Sequence, residues 1–525
     1  MSDPALRQDE RLFRRLIIAS GLCWSVAFVV IALYYRLELY GDGAMFSYAV
    51  AVQDVWAFHW HNISGRTSVF LLTLLPAETL VGITGDPWVG IIAYGFLFYV
   101  APLAGLVATF AADRSPGRLI FVYACASTAL LCPLIFGFPT EMWLGHAMFW
   151  PTLALSHYAR ATLLWAALVF AAWLVLAFTH EGAFLLLLGM LATLAPRGLW
   201  NAPFRRGVAN LLVISILAVA SKIFLPPDEY YANAFVRAAL HFFDPAVFRV
   251  AIVVELLAAV IVYAAMLGMI SIWLPKRACI YALSILLALL SIYWLRFDQS
   301  VHASSRYYLR TALVIATPLL GVMAAFAAIT REAIVPDPLA KLQRIPISFR
   351  ESLCALASIL VAVNLIHVVE TGKFVTAWSR YRDAIATLAL SQGSDPALGH
   401  SLFVSSRRVP PDLAPLEWFS TIPYLSVILL NFQPNRLVID PAGSYFWLSC
   451  ATATRNTEKA CCSGAYPRID SDIFVPSSIG YRCPTMRAPR PPTSINPVEA
   501  AADRVMHLWS MIRPRSDDEW AFPPR

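Results

Sequence analysis

The stretch Leu39-Tyr-Gly-Asp-Gly-Ala-Met-Phe-Ser-Tyr48 follows directly on the first hydrophobic span and sets one carboxylate, Asp42, between two glycines. An acid at that point stands in water against the membrane surface, where a base acting on a lipid-borne molecule is needed. The same triplet also reads as a helix-ending turn, because glycine tolerates positive φ and aspartate tolerates turns. The remainder of the chain decides how much weight each reading carries.

Composition sets the class. Of 525 residues, 59% are hydrophobic and 14% charged, against about 25% charged in a soluble protein. Mean hydropathy is +0.63. These values exclude an ordinary soluble domain and predict an all-α polytopic membrane protein. The net charge of +7 is spread over many short loops, which argues against a nucleic-acid partner. Met1–Arg15 is polar and basic, and the span after it is long enough to cross and stay, so no cleavable signal is expected.

Hydropathy predicts about eleven spans, near 15–36, 88–112, 117–137, 143–159, 161–179, 183–196, 207–225, 249–274, 278–296, 309–330 and 352–369. With the N-terminus inside, Arg114, Arg118, Arg160, Arg197, Arg205, Arg206, Lys276, Arg277, Arg331, Lys341, Arg344 and Arg350 all fall on inside loops. The outside turns at 138–142 and 180–182 carry no Lys or Arg. This asymmetry predicts an N-inside, C-outside topology. Residues 1–14 are then a cytoplasmic N-terminus and 15–370 the transmembrane domain. Residues 371–483 form a small mixed exported domain, and 484–525 an irregular, Pro- and Arg-rich tail.

The long first outside loop, 37–87, contains Tyr48–Trp60, which reads as an interfacial helix. Arg66–Thr84 is apolar enough to cross, but counting it as a span would reverse every later loop, so a re-entrant or surface helix is expected. His59 and His61 diverge on a helix and are not expected to share a metal. Later outside turns add Glu141 and His146, then His180 and Glu181. Glu255 lies inside a span, where a carboxylate faces a cavity or a partner. The loop Arg296–Arg310 breaks the basic-inside trend. Arg306 and Arg310 are one helical turn apart and suit a phosphate, whether of a substrate or of the bilayer, with Tyr307, Tyr308 and His302 beside them. Pro423–Phe432 is apolar but too short to cross, and reads as a buried strand or an interface segment. Cys450, Cys461, Cys462 and Cys483 lie in the exported region and predict one or two disulfides, of open pairing, in an oxidising compartment.

Taken together, residues 10–370 resemble the GT-C superfamily of polytopic glycosyltransferases, which use polyprenyl-phosphate-linked sugars. Asp42 after span one, the apolar Arg66–Gly85 segment, Phe138-Pro-Thr-Glu141, and Arg306-Tyr307 leading into a span with Pro318 carry the resemblance. It implies inverting transfer of a sugar from a polyprenyl-phosphate donor to a lipid or glycan acceptor in cell-envelope assembly. The reaction would lie on the periplasmic face of a bacterial inner membrane. It implies Asp42 as base and Arg306, then Arg310, as phosphate ligands near Tyr307, with Glu141, Glu181 and His180 on sugar or acceptor hydroxyls. Relatives often carry a paired acid where Gly43 follows Asp42 here. A divalent cation on Asp42 and Glu141 therefore stays open. A lipid-linked glycan flippase and a non-catalytic assembly factor built around the exported domain are the competing classes. The sequon Asn62-Ile-Ser64 keeps an endoplasmic reticulum location open as well.

Overall fold

The computed structural model describes residues 4–53, 55, 63–132, 137, 139–199, 201–224, 303–332, 349–391, 403–418, 421–432 and 437–439. The expected spans at 249–274 and 278–296, Glu255, the His59/His61 pair, and the cysteines from Cys450 to Cys483 lie outside these residues.

The described chain is mostly helical, and its long apolar helices are those of a membrane protein. Its helices are α1 (Pro4–Tyr34), α2 (Asp42–Ala51), α3 (Ile63–Val69), α4 (Leu75–Thr84), α5 (Pro87–Ala112), α6 (Leu119–Leu131) and α7 (Glu141–Tyr158). Then come α8 (Leu163–Ala177), α9 (Ala183–Leu194), α10 (Ala202–Phe224), α11 (Ala303–Ile329) and α12 (Phe349–Leu390). Among the described residues, five stretches are long and apolar enough to cross a membrane: Glu10–Tyr34, Arg66–Thr84, Pro87–Ala112, Ala202–Phe224 and Leu353–Leu390. Large apolar side chains such as Val30, Leu164, Ile216 and Leu319 stay exposed, as lipid-facing residues do.

Local sequence explains where the helices begin. Asp86 accepts from the Trp88 N–H at 2.9 Å and Pro87 occupies the first turn, which starts α5. Thr140 caps α7 by accepting from the Met142 N–H at 3.4 Å. The core is built where α1, α5 and α7 meet. Phe28, Tyr99 and Trp143 pack edge to face, with centroids 4.7–5.7 Å apart. Close crossings need small residues: a Cβ on Gly105 of α5 would lie 2.5 Å from the Ala147 carbonyl oxygen of α7.

Arg66–Thr84 leaves from and returns to one end of the bundle. Arg66 meets Glu141 and Glu181, the Ser68 N–H donates to the Phe178 carbonyl at 3.0 Å, and Thr84 runs through Gly85 straight into the start of α5. A π-helical turn at Phe70–Leu74 joins α3 to α4. The outward face carries Leu71, Leu72, Leu75 and Ile83, as a helix lying in an interface would.

Two readings of the sequence are corrected. The Gly-Asp-Gly triplet does not end a helix. The span stops at Tyr34, a 3-10 turn at Leu37–Leu39 follows, and Asp42 is the first residue of α2. Pro423–Phe432 is not a strand: Ile422–Leu429 forms a buried helix, α13. The C-terminal region also contains strands β1 (Phe403–Ser405) and β2 (Leu437–Ile439), paired in parallel. Position 370 falls inside α12, whose 42 residues reach about 63 Å. The second half of α12 folds the C-terminal region back onto the Asp42 turn. There the Trp378 indole donates to the Tyr35 carbonyl at 3.0 Å, and Tyr40 packs among Phe374, Trp378 and Trp418.

Candidate functional site

The site forms at the end of the bundle where α1 stops and α2, α5 and α7 begin. Two glycines make the Asp42 turn possible. Gly41 adopts φ 60° and ψ −135°, which side-chain-bearing residues avoid. A Cβ on Gly43 would lie 2.3 Å from the Glu38 carbonyl oxygen and 2.6 Å from Pro139. Gly43 thus lets three chain segments meet: the turn bearing Glu38, the helix start bearing Asp42, and the Pro139-Thr140-Glu141 turn. It also explains why no paired acid follows Asp42, since a side chain there has no room. The Glu38 carbonyl accepts from the Ser47 hydroxyl at 3.1 Å, which ties the turn to α2.

Asp42 is half-buried, while Glu141 is 4% exposed. Both lie within electrostatic reach of the Tyr94 phenol of α5, as does Glu38. Arg66 organises the second acid. Its guanidinium ion-pairs closely with Glu141 and lies 3.6 Å from Glu181. Lys222, near the end of α10, stands 3.9 Å from Glu181 on the other side. Burial opposes ionisation of Glu181, but Arg66, His180 and Lys222 overcome it and hold the carboxyl down at about 2. His180 Nδ1 accepts from the Gly182 N–H at 2.9 Å, so this ring closes the turn between α8 and α9.

Glu38 behaves oppositely. It is 1% exposed, and one carboxylate oxygen has no hydrogen-bond partner among the described residues. Burial pushes it up to about 8, against the pull of a backbone hydrogen bond, Arg36 and Arg382. The carboxyl is therefore neutral at pH 7. The phenols of Tyr94 and Tyr99 beside it are buried and likewise without hydrogen-bond partners.

The structure thus brings Asp42, Glu141, Glu181 and His180 to one end of the bundle. Arg306, Tyr307 and Arg310 lie on the opening turns of α11, N-terminal to Val314, which abuts Gly182 beside Glu181. Their side chains lie outside the described set. Among the described residues, no three His, Cys, Asp or Glu side chains are gathered as metal ligands, and Glu141 is committed to Arg66. That donor set does not fit the expected cation on Asp42 and Glu141, and no chemical step is derived through a metal.

Sequence reasoning missed Arg66, Lys222 and Glu38 as members of the site. Arg66 had one signal, a lone guanidinium opening an apolar run on a loop otherwise read as outside. Glu38 had another, an acid flanked by leucines four residues before Asp42.

Compared with family models and with curated proteins, the chain matches none.

Proposed function

We propose that the chain is an integral-membrane glycosyltransferase that moves a sugar from a polyprenyl-phosphate donor to a hydroxyl of a lipid or glycan acceptor, with inversion. The carrying observation is the Gly41-Asp42-Gly43 turn, which holds a half-buried carboxylate at a helix start, beside Glu141, where the first long apolar helix ends. In this reading Asp42 takes the proton of the acceptor hydroxyl. The acceptor oxygen bonds to the anomeric carbon as the carbon–oxygen bond to phosphate breaks, and the electron pair leaves on the polyprenyl phosphate. A single base is sufficient for one displacement. Glu141 and Glu181, held by Arg66, are rigid acceptors for sugar hydroxyls. The start of α11, with Arg306 and Arg310, supplies cationic charge for the departing phosphate. The reaction face is periplasmic in a bacterial inner membrane, by the charge asymmetry of the loops.

The test is transfer of radiolabelled sugar by the purified chain from a panel of polyprenyl-phosphate donors, wild type beside Asp42→Asn. Transfer that falls about 10²–10⁴-fold in the variant supports the reading. Equal transfer by both removes Asp42 as base. No transfer from any donor, by folded protein that binds these lipids, favours a flippase or an assembly role.

A further inference from the structure

The structure places a second feature beside the acids, on the side facing α12. Arg36 follows the end of α1 with a left-handed backbone (φ 54°), and its guanidinium stacks on the Trp88 ring at 4.3 Å. The hydrogen bond from Trp378 to Tyr35 fastens α12 here, which brings Arg382, one turn further along α12, opposite Arg36. Arg382 lies 5.7 Å from the Trp378 ring, and its Nε is buried with no hydrogen-bond partner among the described residues. The two guanidinium groups lie within electrostatic reach of each other and of Glu38, with Asp383 adjacent to Arg382. Among the described residues neither makes an ion pair, whereas nearby Arg380 is paired with Asp412 at 2.9 Å.

We propose that Arg36 and Arg382 form a clamp for the phosphate group of a lipid phosphate monoester or diester. Two like charges brought together without an ion-paired acid call for an anion between them. Planar guanidinium forks match phosphate oxygens, and stacking on indoles holds the forks in place. Glu38, held mostly protonated by burial, offsets little of this charge, and Asp383 offsets part of it on Arg382. Tyr34, exposed at the end of α1 beside Tyr35, stands where an aromatic belt and lipid phosphates lie. The identity of the lipid rests on the transferase reading; the phosphate chemistry does not.

The test is equilibrium binding of undecaprenyl phosphate to the full-length protein in nanodiscs, with undecaprenol as neutral control and phosphatidylglycerol as competitor. Wild type is expected to prefer the phosphate over undecaprenol. Arg36→Gln and Arg382→Gln should each weaken binding roughly tenfold, while Arg380→Gln leaves it unchanged. Arg36 is exposed, so its single variant reports binding without risk to folding. Unchanged binding in the double variant overturns the clamp. Equal displacement by phosphatidylglycerol keeps the phosphate clamp and removes its preference for a polyprenyl carrier. Sugar transfer is measured on the same preparations. Arginine-dependent binding without Asp42-dependent transfer keeps the clamp and removes the transferase reading. Asp42-dependent transfer with an unchanged donor KM in the double variant removes the clamp and keeps that reading.

Discussion

The two ends of the helical bundle are built from the same residue types, and both pair charges, but they differ in how fully their buried polar groups are satisfied. At the end away from Asp42, Arg197 forks onto both oxygens of Glu332 and donates through Nε to His157 at 3.0 Å. Tyr158 donates to the same glutamate at 2.8 Å, and His157 reaches Thr193 at 3.0 Å. Arg14 donates to the Gly117 carbonyl, and Arg331 pairs with Glu10 at 3.3 Å. Asp113 accepts from the Ser115 and Phe121 N–H groups at 2.7 and 2.9 Å. These groups spend their hydrogen-bonding capacity on one another. At the Asp42 end, the Glu38 carboxyl and the Tyr94 and Tyr99 phenols are buried, and each keeps a polar atom without a hydrogen-bond partner among the described residues. A buried polar atom left unpaired costs on the order of 1–3 kcal/mol, so these three groups weaken the Asp42 end where the far end is fastened. The contrast separates a fastening from a site.

The largest expected effect tests that contrast directly. Asp42→Asn should lower sugar transfer about 10²–10⁴-fold with an unchanged melting temperature, whereas Glu332→Gln should leave transfer per folded molecule intact. Next in size is Gly43→Ala. Its new Cβ would drive the Glu38 turn and Pro139 apart, and displacement of this order costs roughly 10² in rate. Transfer near wild type in this variant would show that the three segments need not meet. Arg197→Gln should break the fork onto Glu332 and destabilise by about 1–3 kcal/mol, read as a lower melting temperature with normal transfer. Lost transfer at normal stability would make the far end functional and dissolve the contrast.

The smallest effect is a pH dependence. The folded protein holds the Glu38 proton up to about pH 8, against an ordinary value of 4.5. Its contribution to stability is therefore full below about 4.5 and is lost as pH rises through about 8. Melting temperature should fall as pH rises from about 4.5 towards 8 and level off above it, and Glu38→Gln should flatten that fall. An equal fall in the variant would assign it to another group.

Much of the fold was legible because hydropathy is a local sum. The first helix, the Pro87–Ala112 helix with its Asp86 cap, and the apolar half of α12 can be read from consecutive residues. Asp42, Glu141 and Glu181 stood out for a similar reason, as acids placed where apolar runs stop. Local pattern misled at Ile422–Leu429, where a short apolar run fits a strand and a helix alike until its neighbours bury it.

What the sequence determined by itself was a mostly helical membrane chain, the places where it turns, and a short roster of acids at those turns. Tertiary structure alone decided that Arg66 joins Glu141 across 75 positions of sequence, that Trp378 docks α12 on Tyr35, and that Glu38 is buried and neutral. The reason is physical. Insertion of a segment depends on its own side chains, whereas an ion pair or a shifted carboxyl depends on which distant segment packs beside it, and that is settled only when the helices close around one another.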